Sequence, residues 1–454
     1  MSQPNSSVPS VTESWRLRFG RWSWILVWPR CWAYGDFLLG ICVPLAIARA
    51  EGKGVIFVRA GHYRSDSVFD VVAAGVPILV LNRPFSLLAT ALLKLRAWLL
   101  LVKTATGDWV LDAVFILRTY VQRRRIVRAG GKVTLTRKLW RGRRKESRRS
   151  IAELPYRRQV WYGRDQRFYG CDVRRILANS WSGTALRYDA EARRRAEMFG
   201  LEPQTPLVTV HVREAGWHDV VTGHQLKEYD SKRDARIADF FPCFDFLRDR
   251  GFTVVRIGDS TMTPVTRPGV VDLTGAEASD NLLQLWAVKH SQFMIACDSG
   301  PFALAWLFHV PMLMVNVACH LDCYPLRHFD RMMFKRVTRT NGQLYSLRDM
   351  WKYEFLAHYK RLDKSYYQDN TSEELRAAAE EMCDVVATNK PLAPSEGQRA
   401  LRRLADDLNH APEVIAKMNR RNDPGYLYTG DGYVSDVLAA SCSSINEYAH
   451  VNNK

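Results

Sequence analysis

Apolar positions along the chain fall into two rhythms that alternate. Over 36–50, Leu38, Leu39, Ile41, Leu45 and Ile47 recur at helical spacing, and the unbroken apolar run 54–58 that follows reads as a buried strand. The pattern then predicts a helix over 67–74 and a strand over 76–81, ending at Asn82-Arg83-Pro84. A helix is predicted over 188–199, with Asp189 and Glu191 in its first turn and a run of arginines behind them, leading into Gly200. Beyond it the strand and helix periods alternate again: strand 207–212, helix 236–250, strand 252–257, helix 281–289, strand 292–296, helix 301–308, strand 312–316. Short apolar strands separated by helices predict parallel sheets buried on both faces, an α/β doubly wound class. Residues 353–418 read as mostly helical, most clearly 373–388, and past 420 the Gly-, Ser- and Asn-rich composition predicts a poorly ordered tail.

Length turns this grammar into two units, because 454 residues exceed one ordinary core. The expected division is an arm over 1–30, an N-terminal α/β domain over 31–185, a second α/β domain over 186–390, and a helical extension with a flexible tail over 391–454. The arm interleaves Trp15, Trp22, Trp24 and Trp28 with Arg16, Arg18, Arg21 and Arg30, a mixture that suits a lipid headgroup layer, a nucleic-acid groove or packing on the domain itself.

A formal charge of +18 changes the picture by pointing to an anionic partner: nucleic acid, an anionic membrane face, or a phosphate-bearing or acidic-glycan substrate. The charge is densest over 118–149, where Arg123-Arg124-Arg125, Arg137-Lys138, 141–145 and Arg148-Arg149 meet almost no acid apart from Glu146. Nine cysteines without regular spacing suit a reducing compartment, most of them filling cores. Cys319-His320-x-x-Cys323 has metal-like spacing but no second pair, so it reads as packing or a loop, and no metal site is expected. No secretory signal is evident, and the apolar stretches 85–117 and 299–321 are interrupted by charge, Pro, His or Asn.

Three strand ends of the second domain are polar in a consistent way. The first runs out in His211-Val212-Arg213-Glu214, the second in Arg256-Ile257-Gly258-Asp259-Ser260, the third in Asp298-Ser299-Gly300-Pro301 directly before a helix. In open α/β sheets ligands sit beyond the carboxyl ends of the strands. Arginines at two tips beside a small turn at a helix start therefore make a candidate diphosphate pocket.

In this order, His211-Val212-Arg213-Glu214-Ala215-Gly216, Tyr229 with Arg233-Asp234-Ala235-Arg236-Ile237, 252–259, 293–300, and Val310-Pro311 with Asn316 resemble a family of bacterial glycosyltransferases found with surface-polysaccharide genes. The His-x-Arg and Ser-Gly elements are also similar to those of fucosyltransferase-like enzymes, and 298–305 followed by Val310-Pro311 is similar to the heptosyltransferase signature. All are GT-B enzymes, so the resemblance implies two Rossmann-like domains facing a cleft. It covers 207–316, about a quarter of the chain, with one echo at Tyr34-Gly35-Asp36, which resembles the turn carrying the catalytic aspartate of heptosyltransferases.

The resemblance implies that Arg213 grips the donor diphosphate, with Arg256 a second cation. It makes Gly258 and Asp259 the shapers of the nucleotide pocket, His211 and Asp298 members of it, and Ser299 and Gly300 phosphate binders. Asp36 and Glu214 are the candidate general bases, with His218 third. Where the family has Arg-Asn this chain has Arg233-Asp234, so the resemblance gives that pair no role. The expected function is inverting, metal-independent sugar transfer from a nucleotide-sugar to a lipid-linked or polysaccharide acceptor, without a further cofactor. The expected place is the cytoplasm, on the inner face of the membrane. The contrasting expectation is a non-catalytic basic module for nucleic acid or anionic membrane; nucleic acid is disfavoured, because no recognition-fold signature is present.

Overall fold

The computed structural model describes residues 23–27, 34–58, 68, 71–73, 76–81, 132–134, 181–202, 204–216, 231–275, 281–318, 327–352, 355, 362–388, 392–409 and 431–441. Two parallel sheets organise these residues, as the alternating rhythm predicts.

The first sheet has four strands: β1 (Ser23–Val27), β2 (Gly54–Val58), β4 (Ile78–Leu81) and β5 (Lys132–Thr134), in the order β4-β2-β1-β5. Every pairing is parallel, and the segments SWILV, GVIFV and ILVL are apolar enough to be covered on both faces. This corrects the arm expected over 1–30. Ser23–Val27 is an inner strand with a neighbour on each side, because its apolar run can satisfy its backbone only inside a sheet. Of the basic segment 118–149 only β5 lies among the described residues; the rest, and residues 1–22, lie outside them.

Helix α1 (Tyr34–Ala50) joins β1 to β2 and continues through Pro44. Leu38, Ile41, Cys42, Val43, Leu45, Ala46, Ile47 and Ala48 are all buried. A helix apolar on this much of its surface needs cover on more than one side. It packs on β1 and β2, and also on helical elements of the second domain. The helix expected over 67–74 is a second correction. Val71–Ala73 is a strand, β3, paired antiparallel with β6 (Thr184–Leu186); its three residues are two valines and an alanine, and β-branched valines favour a pleated partner.

Helix α2 (Asp189–Met198) leads into the larger sheet. Its strands are β7 (Leu207–His211), β8 (Thr253–Arg256), β9 (Val270–Asp272), β10 (Ser291–Cys297), β11 (Met312–Val317), β12 (Arg331–Phe334) and β15 (Tyr433–Val434). Their order is β15-β12-β11-β10-β7-β8-β9, with every pairing parallel. Helices α3 (Phe241–Asp249), α4 (Asn281–Lys289) and α5 (Ala303–Phe308) make the crossovers, each preceded or followed by a strand as expected. The small ribbon of β13 (Arg336–Val337) and β14 (Tyr367–Gln368) and helix α6 (Leu347–Trp351) precede α7 (Ser372–Ala387), whose capping box links Thr371 and Glu374.

Within the tail expected past 420, residues 431–441 are ordered as a short strand and a helix. After α8 (Glu396–Asn409), β15 extends the sheet and α9 (Asp436–Ser441) follows. Glu381 of α7 holds this return: it accepts bonds from Arg331, Gln398, Ser435 and the Asp436 N–H. A strand of two residues carries no periodic signal, so the composition of the tail hid it.

No helix among the described residues is long and apolar enough to cross a membrane. Cys42, Cys243, Cys297 and Cys383 are free and buried, as the core reading of the cysteines expects.

Candidate functional site

The larger sheet winds outward from β7 in one direction through β8 and β9, then returns beside β7 at β10 and continues through β11, β12 and β15. Strand order therefore reverses between β7 and β10, the topological switch where the two following loops part and leave a crevice. The register pairs His211 of β7 with Ala296 of β10, and Val210 with Arg256 of β8. Two residues further along, Arg213 and Asp298 stand at the two lips of that crevice, with Ser299 and Gly300 next in the chain. The structure thus brings together the first and third strand tips singled out in the sequence.

Arg213 is held in an unusual way. Its side chain is only 9% exposed, and its Nε donates to Asp234 Oδ1 at 2.9 Å. Its two terminal nitrogens have no partner among the described residues. Across the crevice Arg233 donates from Nε to the carbonyl of Asp298 at 2.9 Å, and its Nη2 lies 3.0 Å from Asp298 Oδ1. Asp298 is itself buried, while Ser299 is half-buried with a hydroxyl that has no partner among the described residues. Beneath them the Cys297 thiol is pushed up to about 12 by burial, against the opposing pull of an Arg213 backbone bond and the Lys335 charge.

Lys335, fully buried at the end of β12, donates to the carbonyl of Asp234 and pairs with Asp369, both at 2.6 Å. At the end of β11, Asn316 and Asn370 bond each other's backbone N–H reciprocally, which fixes the start of α7 beneath the same edge. Lys335 and Asp369 were not named from the sequence, and Arg233-Asp234 was named there without a role. The one signal that could have given Asp234 a role is its departure from the family's Arg-Asn pair.

The second tip behaves differently from the expectation. Arg256 is wholly buried and engaged within the protein: Nη1 donates to Asp272 at 3.0 Å and to the Thr263 carbonyl, and Nη2 to Glu214 at 3.3 Å. Glu214 also accepts from the Thr263 N–H at 2.6 Å, and Asp272 from the Val265 N–H at 2.8 Å. The physical reason is that a buried guanidinium must have its charge neutralised, and Glu214 and Asp272 supply the carboxylates while the Thr263 carbonyl adds a further acceptor. Arg256 and Glu214 fasten the loop after β8. Gly258 is clasped by Gln284 of α4, which donates to its carbonyl at 2.9 Å, and Asp259 closes a local turn onto Thr261. His211 is buried, with Nδ1 3.2 Å from the Ile257 carbonyl; burial brings it down to about 4, so the ring is neutral and Nδ1 carries the proton.

Asp36 stands in the first turn of α1, which packs against α5 and against the short 3-10 turn Gly300–Phe302 directly after Ser299. The N-terminal echo and the third strand tip are therefore joined through one helix. His218, Tyr229 and the Cys319/Cys323 pair lie outside the described residues, among which no cluster of three His, Cys, Asp or Glu side chains is placed to hold a metal ion.

No protein-family model matches the sequence, and no curated protein matches it. Solved structures do. The glycosyl transferase family 9 protein of Veillonella parvula is 13% identical over 79% of this chain and 97% of that chain, with a TM-score of 0.42. The ADP-heptose lps heptosyltransferase II of E. coli is 12% identical over 81% and 99%, TM-score 0.40. The E. coli heptosyltransferase WaaC with ADP is 12% identical over 80% and 99%, TM-score 0.34. Each is a likeness only; what the site can do is decided by its own residues.

Proposed function

We propose that the chain is a glycosyltransferase that takes a sugar from a nucleotide-sugar donor, with inversion and without a metal, and passes it to a lipid-linked or polysaccharide acceptor. One observation carries this reading: a buried arginine at the switch-point crevice whose terminal nitrogens have no partner among the described residues, beside a serine hydroxyl that has none among them either. A guanidinium so placed fits the oxygens of a diphosphate. In a site that excludes water it would stabilise the charge that grows on the leaving nucleotide as the glycosidic bond breaks. Asp36 is the better-placed base for the acceptor hydroxyl, since its helix rests on the Gly300–Phe302 turn, whereas Glu214 Oε2 is already engaged by Arg256 and Thr263. The proposed setting is the cytoplasmic face of a membrane, with the net charge of +18 favouring anionic lipid and acceptor.

The test is a melting series with the five common nucleoside diphosphates. One base should raise the melting point above the others, since a ligand at 100 times its Kd adds about 2.7 kcal/mol to stability. If no nucleotide does so while anionic vesicles or nucleic acid bind, the basic, non-catalytic module is the correct description.

A further inference from the structure

The geometry points to Arg233-Asp234 as the positioning element of the crevice, with Asp234 aiming the guanidinium of Arg213 at the anion and Arg233 fixing the opposite lip. The inference rests on the anion-binding reading of the switch point and names what sets it. Two bonds tie the segment to the β7 side: Asp234 accepts from Arg213 Nε at 2.9 Å, and the Ala235 N–H donates to the Arg213 carbonyl at 3.0 Å. Two more tie it to the β10 side, both from Arg233 to Asp298, one to its carbonyl and one to its carboxylate. Lys335 clamps the segment from below through the Asp234 carbonyl and Asp369. One dipeptide thus sets the separation of both lips.

A purely structural ion pair looks different in this same protein. Arg327 grips Asp330 with Nε and Nη2 together, at 3.0 and 2.8 Å, and its remaining donors go to the carbonyls of Ala305 and Val310. Every nitrogen of that guanidinium is engaged. Arg213 meets its carboxylate through Nε alone, and a single bond at the stem fixes the plane of the fork, while its two-pronged end, without a partner among the described residues, suits planar, bidentate recognition of an anion.

Inorganic pyrophosphate, titrated calorimetrically into the full chain, tests this without depending on base or sugar. Asp234→Ala should weaken pyrophosphate binding at least about tenfold, whereas Asp234→Asn, which keeps an oxygen for Arg213 Nε, should stay within about threefold of wild type. In an Arg213→Ala background the Asp234→Ala change should add almost nothing, because the two act through one interaction. The asparagine variant is near-isosteric and guards against mere unfolding, and a melting curve of each variant separates stability from affinity. Equal losses for Asn and Ala, an effect additive with Arg213→Ala, or no pyrophosphate binding by the wild type would each overturn the assignment. If the pyrophosphate pattern holds but no nucleoside diphosphate is preferred, the positioning role stands and the nucleotide-sugar reading falls.

Discussion

Three arginines show how little residue type alone decides. Arg213, Arg256 and Arg327 are all buried, yet among the described residues one has no partner at its fork, one fastens a loop and one has every nitrogen engaged. The sequence places Arg213 and Arg256 at equivalent strand tips, which made both candidates for the same task. What separates them is partners 16 and 42 residues from Arg256, and 21 from Arg213, distances over which a linear pattern carries no information. The consequence is measurable. Arg256→Met removes the cation that holds Glu214 and Asp272 together and should lower stability by roughly 3 kcal/mol in urea titration, as breaking a buried pair does. A loss below about 1 kcal/mol would mean that solvent reaches the pair and that the fastening role is wrong.

At the scale of elements, the long apolar runs were readable and the short ones were not. Strands β7, β8, β10 and β11 and helix α4 fall where periodicity puts them, because each buries a continuous apolar segment. By contrast β9, β12 and β15, at two to four residues, exist because a neighbouring strand offers hydrogen bonds, which is a property of the sheet and not of the segment. Helix α5, only six residues long, falls inside the predicted 301–308, but its end is satisfied from far away in the chain. Trp181 Nε1 donates to the Trp306 carbonyl at 2.6 Å and Thr184 to that of Leu307 at 3.2 Å. Gly183 makes this approach possible: at φ +82°, a Cβ there would stand 2.6 Å from the backbone carbonyl of Phe308. Gly183→Ala combines left-handed strain with a backbone clash and should destabilise by about 2 kcal/mol or more. An unchanged denaturation midpoint would show that the 181–184 segment does not seat against α5.

Across the whole molecule, the helix of the first sheet and the crossover of the second meet around His309, and this gives the fold a characteristic acid response. His309 caps α5 in the left-handed conformation and is lowered to about 4 by burial first, then by the positive charges of Arg327, His328 and Arg49, the last of these on α1. His211, deep in the larger sheet, is also lowered to about 4, chiefly by burial, with Asp259 opposing and Arg256 and Arg213 reinforcing the fall. An ordinary histidine titrates near 6.5, so between pH ~6.5 and ~4 the unfolded chain binds protons that the folded chain refuses. The contribution of both residues is complete above that window and is lost as pH falls through it, on the order of 3 kcal/mol for His211 and less for the partly exposed His309. The carboxylates give way later. Asp245 is held below the usual range by its bond from Arg267, and Asp349 by its bond from Lys352, so their stabilisation is complete above the ordinary carboxylate value and is lost as pH falls from there through their lowered values. Urea unfolding at pH 7, 5.5 and 4.5 should therefore show a steep early loss that precedes carboxylate protonation. His211→Gln, which keeps a donor for the Ile257 carbonyl but cannot titrate, should be less stable at pH 7 yet flatter across the window. Wild-type stability that is level from pH 7 to 4.5 would mean that neither ring is buried neutral, and the tight seam between the two sheets would have to be redrawn.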